Sequence, residues 1–527
     1  MKSTHLSLIA GTVALAAITG FATLNAPGGP AVAEAGSASS LPVERSSLVC
    51  PAPSTSDLAE TQYTSYTPPG SETAKGGGAK GGGAKGEGEE GTAELKPALP
   101  VLDDDEVETD PKKIKKAEEA AKKAKAQADK PVLAVKEPGT PVLAEADGSA
   151  APALVGTATG RLAPGWAAQQ TTTVTAGGAR GLLGVSCTAP DTDFWFPGVS
   201  TARSRQDYVH LTNPDDSAAV ADIELFGAKG AVTSEVGDGI TVPARSSVAL
   251  LLSTLTDEAV NDLTAHVTTR SGRVGGVVLT ADDGSGADWL TAAADPSGTL
   301  VMPGIPADAT SVQLVAFAPG ENDADVKVQL MGKNTTFAPA GNDTLHIKSG
   351  MTATIDLKDI TRGEPGSLRL TPVEKNRATP IVAALRVVRG TGAKQEIAYI
   401  PATGPVGARA SVTDNRAKGS TLSLAAPAAT AKVKVTTSAG SGGGEPAVET
   451  YTVKAGTTTA ITPKPPAGLK GAYALTVETV SGGPVHASRA LVLPEGGVQM
   501  FTIQTLPDDG GTVVVPSARQ DLSVLDD

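Results

Sequence analysis

Four times in 527 residues the chain writes a short strand that runs into a proline. The copies are Asp193-Phe194-Trp195-Phe196-Pro197-Gly198, Thr299-Leu300-Val301-Met302-Pro303-Gly304, Ile397-Ala398-Tyr399-Ile400-Pro401-Ala402 and Thr512-Val513-Val514-Val515-Pro516-Ser517. Their prolines stand 106, 98 and 115 residues apart. A period near one hundred is too long for a solenoid unit and suits a small domain. It constrains the chain to a tandem array, and the phrase reads as the opening strand of each unit.

The elements after the phrase recur in order. A strand ends in a proline-containing loop at Tyr208–Pro214, Val312–Pro319 and Leu422–Pro427. An alternating strand follows, Asp222-Ile223-Glu224-Leu225, Val326-Lys327-Val328-Gln329-Leu330 and Val433-Lys434-Val435, with one face apolar and one wet. A strand–turn–strand comes third, with Gly350 and Gly456 at the turn in two copies, where a positive φ is expected. A closing hairpin is expected last, clearest as Leu475–Glu478, a Ser481-Gly482-Gly483-Pro484 turn and Val485–Leu493. Aromatic residues make up only 3 %, so the cores must be built from Val, Leu, Ile and Ala. Six or seven short strands per hundred residues then describe an all-β chain of tandem immunoglobulin-like or fibronectin-like β-sandwich domains.

Before the repeats, Leu6 to Leu24 is uncharged and mostly apolar, and Ala31-Val32-Ala33 precedes Glu34. This reads as a signal peptide over 1–33; the alternative is an uncleaved membrane anchor at residues 6–24. Ser47-Leu48-Val49-Cys50-Pro51 resembles Val185-Ser186-Cys187-Thr188-Ala189-Pro190, which suggests adjacent strands joined by a Cys50–Cys187 disulfide. Closing so long a loop is worth up to about 5 kcal/mol. Residues 41–66 plus 131–192 are expected to form this first β-domain. Pro131–Val135 and Pro141–Ala144 read as paired strands around a Glu137–Thr140 turn. The stretch 67–130 between the two parts carries a Lys/Gly/Ala tract, an acidic run and a Lys/Glu-rich segment, and reads as a disordered insertion with one fraying helix from Asp110. Repeats are then expected at 193–298, 299–396 and 397–511. A terminal strand at 512–527 is expected to add to the sheet of the preceding or the first domain. Its Arg519-Gln520-Asp521 repeats Arg205-Gln206-Asp207.

Chemistry is sparse. A net charge of −13 argues against nucleic acid as a partner. His210, His266, His346 and His486 lie on separate strands with apolar neighbours, which points them to the polar faces, and no metal-ligand spacing joins them. No nucleophile elbow or phosphate-binding loop is present, so no catalytic, cofactor-binding or metal residue is assigned and no cofactor is expected. Asp215-Asp216, Glu321 with Asp323, and Asp282-Asp283 with Asp288 read as polar turns rather than calcium sites. Trp195 and Trp289 could stack on a sugar, but Trp195 between Phe194 and Phe196 reads as domain-junction core.

The Leu48-Val49-Cys50-Pro51 strand, the Gly/Lys-rich insertion, the Cys187–Gly198 stretch and the repeats together resemble an actinobacterial family of exported proteins catalogued as a domain of unknown function. That resemblance implies export and carries no activity. The expected function is a non-catalytic secreted or cell-envelope scaffold whose partner is a cell-wall polymer or another envelope protein. A carbohydrate- or wall-polymer-binding protein is the alternative. An enzyme with a site in the first β-domain near Asp191, Asp193 and Trp195 is the third reading.

Overall fold

The computed structural model describes residues 39–70, 90–99, 126, 128–234 and 236–515. The signal segment, the acidic run, the Lys/Glu-rich helix up to residue 125 and the Arg519-Gln520-Asp521 repeat lie outside the described residues. One compact unit runs from Pro42 to Thr512; Met1–Leu41 with Val513–Asp527 cluster separately. In the latter, the strand Ser39–Pro42 pairs with Thr512–Val515 in a sheet of its own. The terminal strand therefore adds to no sandwich sheet and takes the N-terminal strand as its partner instead.

The large unit is all β and antiparallel, and it holds four modules rather than one irregular domain and three repeats. Each module has eight principal strands in one order. Strands one, six, three and four share a sheet in the order 1-6-3-4; strands five, two, seven and eight share a second in the order 5-2-7-8. In the second module these are Asp193–Val199, Leu263–Ser271, Ala219–Gly227 and Ile240–Val242, and then Ser247–Leu251, Tyr208–Thr212, Gly275–Asp282 and Gly286–Thr291. The modules span 45–186, 193–291, 300–401 and 409–505. Strands two and five in one sheet, with three and six in the other, are the arrangement shared with immunoglobulin sandwiches.

Side-chain alternation explains each strand. Ala219, Ala221, Ile223 and Leu225 are buried between the sheets, while Asp222 and Glu224 take the other face. The module cores are built this way from Val, Leu, Ile and Ala, with few rings.

Several boundaries differ from the sequence reading, each for a pairing reason. Ala93–Pro97, inside the supposed insertion, is the third strand of the first module, between Leu154–Thr159 and Leu133–Val135. Ala93 and Leu95 are buried there, so this module is interrupted by two stretches rather than one. Leu133–Val135 and Val142–Asp147 do not pair; they enter opposite sheets, and Gly139 at φ 92° turns the chain between them. Glu396–Pro401 pairs with Val382–Arg389 and is the eighth strand of the third module, so the third copy of the phrase closes a unit where the first two open one. Tyr473–Gly482 and His486–Glu495 likewise belong to different sheets. The closing hairpin is one strand later, His486–Glu495 with Val498–Thr505.

Each module's outer 5-2-7-8 face packs against the module before it. Ile397 and Tyr399 of the third module enter the core of the second. Phe501 and Ile503 of the fourth enter the core of the third. Val277, Leu279 and Trp289 of the second cover Ala59, Val174, Leu183 and Val185 of the first. The first module then packs on the fourth, and the eighth strands of all four touch in a closed cycle.

Candidate functional site at the axis of the cycle

Three joints of the cycle are apolar and the fourth is not. Between the first and fourth modules the Thr64 and Thr413 hydroxyls lie 2.6 Å apart, and Gln62 Nε2 donates to Asp414 at 2.5 Å. Tyr66 meets Thr476 at 3.5 Å. Among the described residues Leu182 packs against Leu491 and Met500 across this joint, and the Tyr66 ring is buried in it.

The polar face continues to the axis. Asp288, fully buried on the second module's eighth strand, accepts from the Gly184 backbone N–H at 3.1 Å. The Thr502 hydroxyl lies 3.1 Å from Asp288 Oδ1 and 3.3 Å from the Gly184 carbonyl. Gly184 has no room for a side chain: an added Cβ would stand 2.4 Å from Gln504 Nε2 and 2.5 Å from the Thr502 methyl. Burial pushes the Asp288 carboxyl well above the usual carboxylate range, against its hydrogen bonds, and Glu396 adds to the rise. Glu396 is itself pushed up to about 7 by burial, opposed by Arg180, whose Nη1 stands 2.6 Å away. The axis thus joins groups of all four modules: the Arg180 side chain and Gly184 backbone, Asp288, Glu396, and Thr502 with Gln504.

Where the eighth strands end, the following segments converge on a pocket of about 430 Å³. They are Ser186–Ala189, Thr291–Ala294, Ala402–Gly404 and Gln504–Gly510. Leu48, Trp166 to Gln169 and Ser411 to Thr413 complete the wall, and the Trp166 indole N–H is already bonded to Ser65 Oγ at 2.8 Å. Gln169 and Gln504 also line it, 2 % and 4 % exposed. Gln169 finds no protein partner for either amide atom, and Gln504 finds none for its oxygen. This volume lies within the usual range of small-molecule sites, which pair mostly apolar walls with a few polar groups.

The residues singled out in the sequence fall into different places. Cys50 and Cys187 form the expected disulfide, joining the first strand to the segment after the eighth, and Cys187 lines the axial pocket. Asp193 and Glu224 flank His266, at 3.1 Å from Nε2 and 3.3 Å from Nδ1, with the imidazole stacked 3.6 Å over Trp195. Both ring nitrogens are held by carboxylates, which leaves neither to activate a nucleophile. Asp191 is exposed and uses its carboxylate on the Thr192 N–H. Trp195 packs on Phe317 and Val382 of the next module, the junction role expected of it. Trp289 is buried at the first joint and offers no ring to a sugar.

His210 departs from the reading. It lies on the outer face of its sheet, but the first module covers that face, so it is buried edge-on to Trp289 and its pKa falls to about 4. His346 is exposed beside Asp323 and Asp325, and His486 is half-buried with Nδ1 against the Thr403 carbonyl. Among the acidic clusters, Asp215 pairs with Arg273, Asp216 with Arg245 and Asp282 with Arg386. Among the described residues no group of three or more His, Cys, Asp or Glu is placed to hold a metal ion.

The Arg205-Gln206-Asp207 motif has a structural meaning that the sequence reading missed. Residues two apart on extended chain share a face. Arg205 and Asp207 form a two-bonded buried pair at 3.0 and 2.7 Å, and Arg205 reaches the Tyr399 hydroxyl of the third module at 3.0 Å. The axial pocket was also missed. Its sequence signal is the run of small residues at the end of three of the four eighth strands, Ser-Cys-Thr-Ala, Thr-Ala-Ala-Ala and Ala-Thr-Gly.

With this geometry the comparison with known families gives one result. A family model described as Family of unknown function (DUF5719) matches residues 142–464. The chain belongs to the DUF5719 family. The match begins at the fifth strand of the first module, Val142–Asp147, and ends just past the fifth strand of the fourth, Thr457–Ile461. The DUF5719 region therefore contains the joint between the second and third modules, does not follow module boundaries, and omits the sixth, seventh and eighth strands of the fourth module. No curated protein matches the chain.

Proposed function

We propose that this DUF5719 protein is an exported, non-catalytic binding scaffold of the cell envelope. The observation that carries this reading is the closed cycle of four like modules, with a pocket formed jointly by the segments that leave their eighth strands. A cycle of small-core sandwiches spends its chain on placing surfaces, and the pocket's walls are mainly alanine and threonine, with no Lys, Arg or His among the lining residues. Export fits the Cys50–Cys187 bond, since structural disulfides persist in oxidising compartments. It also fits the apolar run after Met1. Actinobacterial origin is part of the same proposal and rests on the sequence resemblance.

The test combines fractionation with binding. The native protein is expected outside the cytoplasm with its N-terminus near Glu34. Purified and oxidised, it is expected to be retained by isolated envelope material without releasing soluble fragments from it. Release of wall fragments would overturn the non-catalytic reading, and a reduced cytoplasmic protein would overturn export.

A further inference from the structure

We propose that the fourth strand of the fourth module, Ala447–Val453, is a pairing edge for the same strand of a second copy of the chain, joining two sheets into one across a two-fold axis at Thr450. This goes beyond the scaffold reading and does not rest on it. The argument starts from how each module ends the sheet ordered 1-6-3-4. In the first module the edge is Leu133–Val135, three residues long. In the second and third it is broken. There the third strand is met by two short partners, Gly230–Val232 with Ile240–Val242, and Thr336–Phe337 with Thr344–Ile347. Short and interrupted edges keep native sheets from pairing with other chains. In the fourth module the edge is one continuous strand of seven residues. It pairs with Ala431–Gly440 all the way from Val453 to Ala447 without a register shift, and it holds no proline and no lysine.

The far side of this strand is open. It is the last strand of its sheet, and among the described residues no backbone hydrogen bond reaches Val448–Thr452 from outside the ladder. Val448 is 60 % exposed, and Glu449, Thr450 and Thr452 are exposed with it. The fifth strand of the third module, Thr352–Lys358, is as long but is blunted: its pairing slips at Val312–Gln313, and it carries Asp356 and Lys358. The occupant is read from the strand's own side chains. Val448, Thr450 and Thr452 share the outer face, beside Thr436, Lys434 and Lys432; Glu449 and Tyr451 share the other, beside Val435 and Val433 of the core. An antiparallel pair centred on Thr450 sets that residue against its own copy, Val448 against the partner's Thr452, and Glu449 against the partner's Tyr451. Opposed β-branched side chains stabilise a sheet, and opposed like charges weaken it. Glu449 is the strand's one charged residue, and in this register it meets a tyrosine hydroxyl, the group it already accepts from Tyr451 of its own chain. Centring on Glu449 instead would oppose two carboxylates. Seven opposed residues exchange about six to eight backbone hydrogen bonds. Each contributes modestly in net terms, so the dimer is reversible at micromolar concentrations.

The full-length oxidised protein is examined by sedimentation equilibrium across micromolar concentrations, where a monomer–dimer equilibrium is expected. Thr450 is exposed and sits on the axis, so Thr450→Lys and Thr450→Glu each oppose two like charges. Each is expected to weaken the dimer about tenfold or more while the Tm of the monomer holds. An equimolar mixture of the two variants opposes a cation to an anion and is expected to restore the dimer. A chain that stays monomeric throughout would overturn the proposal, whatever foreign strand its edge accepts. So would a dimer that Thr450→Lys leaves intact, since its interface would lie elsewhere. A mixture of the two variants that stays monomeric would also overturn it, since position 450 would then not face its own copy.

Discussion

At the residue scale the most informative side chain is Asp288. It is a carboxyl placed where no solvent reaches, with one oxygen bonded and the other without a partner. A carboxyl whose folded pKa lies above its unfolded value keeps a proton that the unfolded chain has lost. Its stabilising contribution is complete below about pH 4 and drains away as pH rises through the folded pKa, at about 1.4 kcal/mol for each unit of separation. Glu396 at about 7 and Asp207 at about 6 act in the same direction. His210, held neutral with a pKa of about 4, acts oppositely and costs stability as pH falls below its unfolded value near 6.5. The wild-type profile is a sum of these, so Asp288 must be isolated by substitution. Asp288→Asn keeps an oxygen for Gly184 and Thr502 and removes the ionisation. Thermal unfolding is expected to show it more stable than wild type at pH 8 and nearly equal to it at pH 4. Equal destabilisation at both pH values would contradict this account.

At the scale of elements, the turn between the fourth and fifth strands shows how the repeat works. It carries the chain from one sheet to the other, and in three modules a glycine takes the left-handed position: Gly139 at 92°, Gly350 at 69° and Gly456 at 68°. In the second module Arg245 stands there at 53°. A residue with a Cβ pays about 1–2 kcal/mol for that conformation. Its exposed pairing with Asp216 returns little. Arg245→Gly is therefore expected to raise stability by about 1 kcal/mol in denaturant titration, and a loss would mean that the ion pair outweighs the backbone strain.

The same turn shows what the sequence made legible. The glycines in two copies marked its φ, and alternation in strands such as Asp222–Leu225 marked the faces. The Cys50 and Cys187 contexts marked the disulfide. What alternation cannot carry is which strand pairs with which. Glu396–Pro401 resembles an opening strand because both opening and closing strands are buried on two sides, one by their own core and one by a neighbour. Ala93–Pro97 was hidden by the composition around it, with only Ala93 and Leu95 to bury. The axial site depends on four segments separated by about a hundred residues each, and small residues after a strand are weak evidence until the cycle brings them together.

At the scale of the whole unit 42–512, the joints differ in kind, and magnitudes rank them. Burying Tyr399, Phe501 or Trp289 in a neighbouring module is worth about 1.5–3 kcal/mol each. The contacts between the first and fourth modules are mainly hydrogen bonds, each about 1 kcal/mol net. That joint also buries the Tyr66 ring, and it brings Gln169 and Gln504 to the wall of one pocket. Closure there makes the pocket and is the claim on which the account depends. Thr64 and Thr413 provide the direct measurement, being 349 positions apart with their hydroxyls 2.6 Å from each other. In the double variant Thr64→Cys, Thr413→Cys, mild oxidation of the monomer followed by peptide mass spectrometry is expected to find the two introduced thiols joined to each other and the native Cys50–Cys187 bond intact. Two introduced thiols that stay free, or that join only between molecules, would contradict a closed cycle.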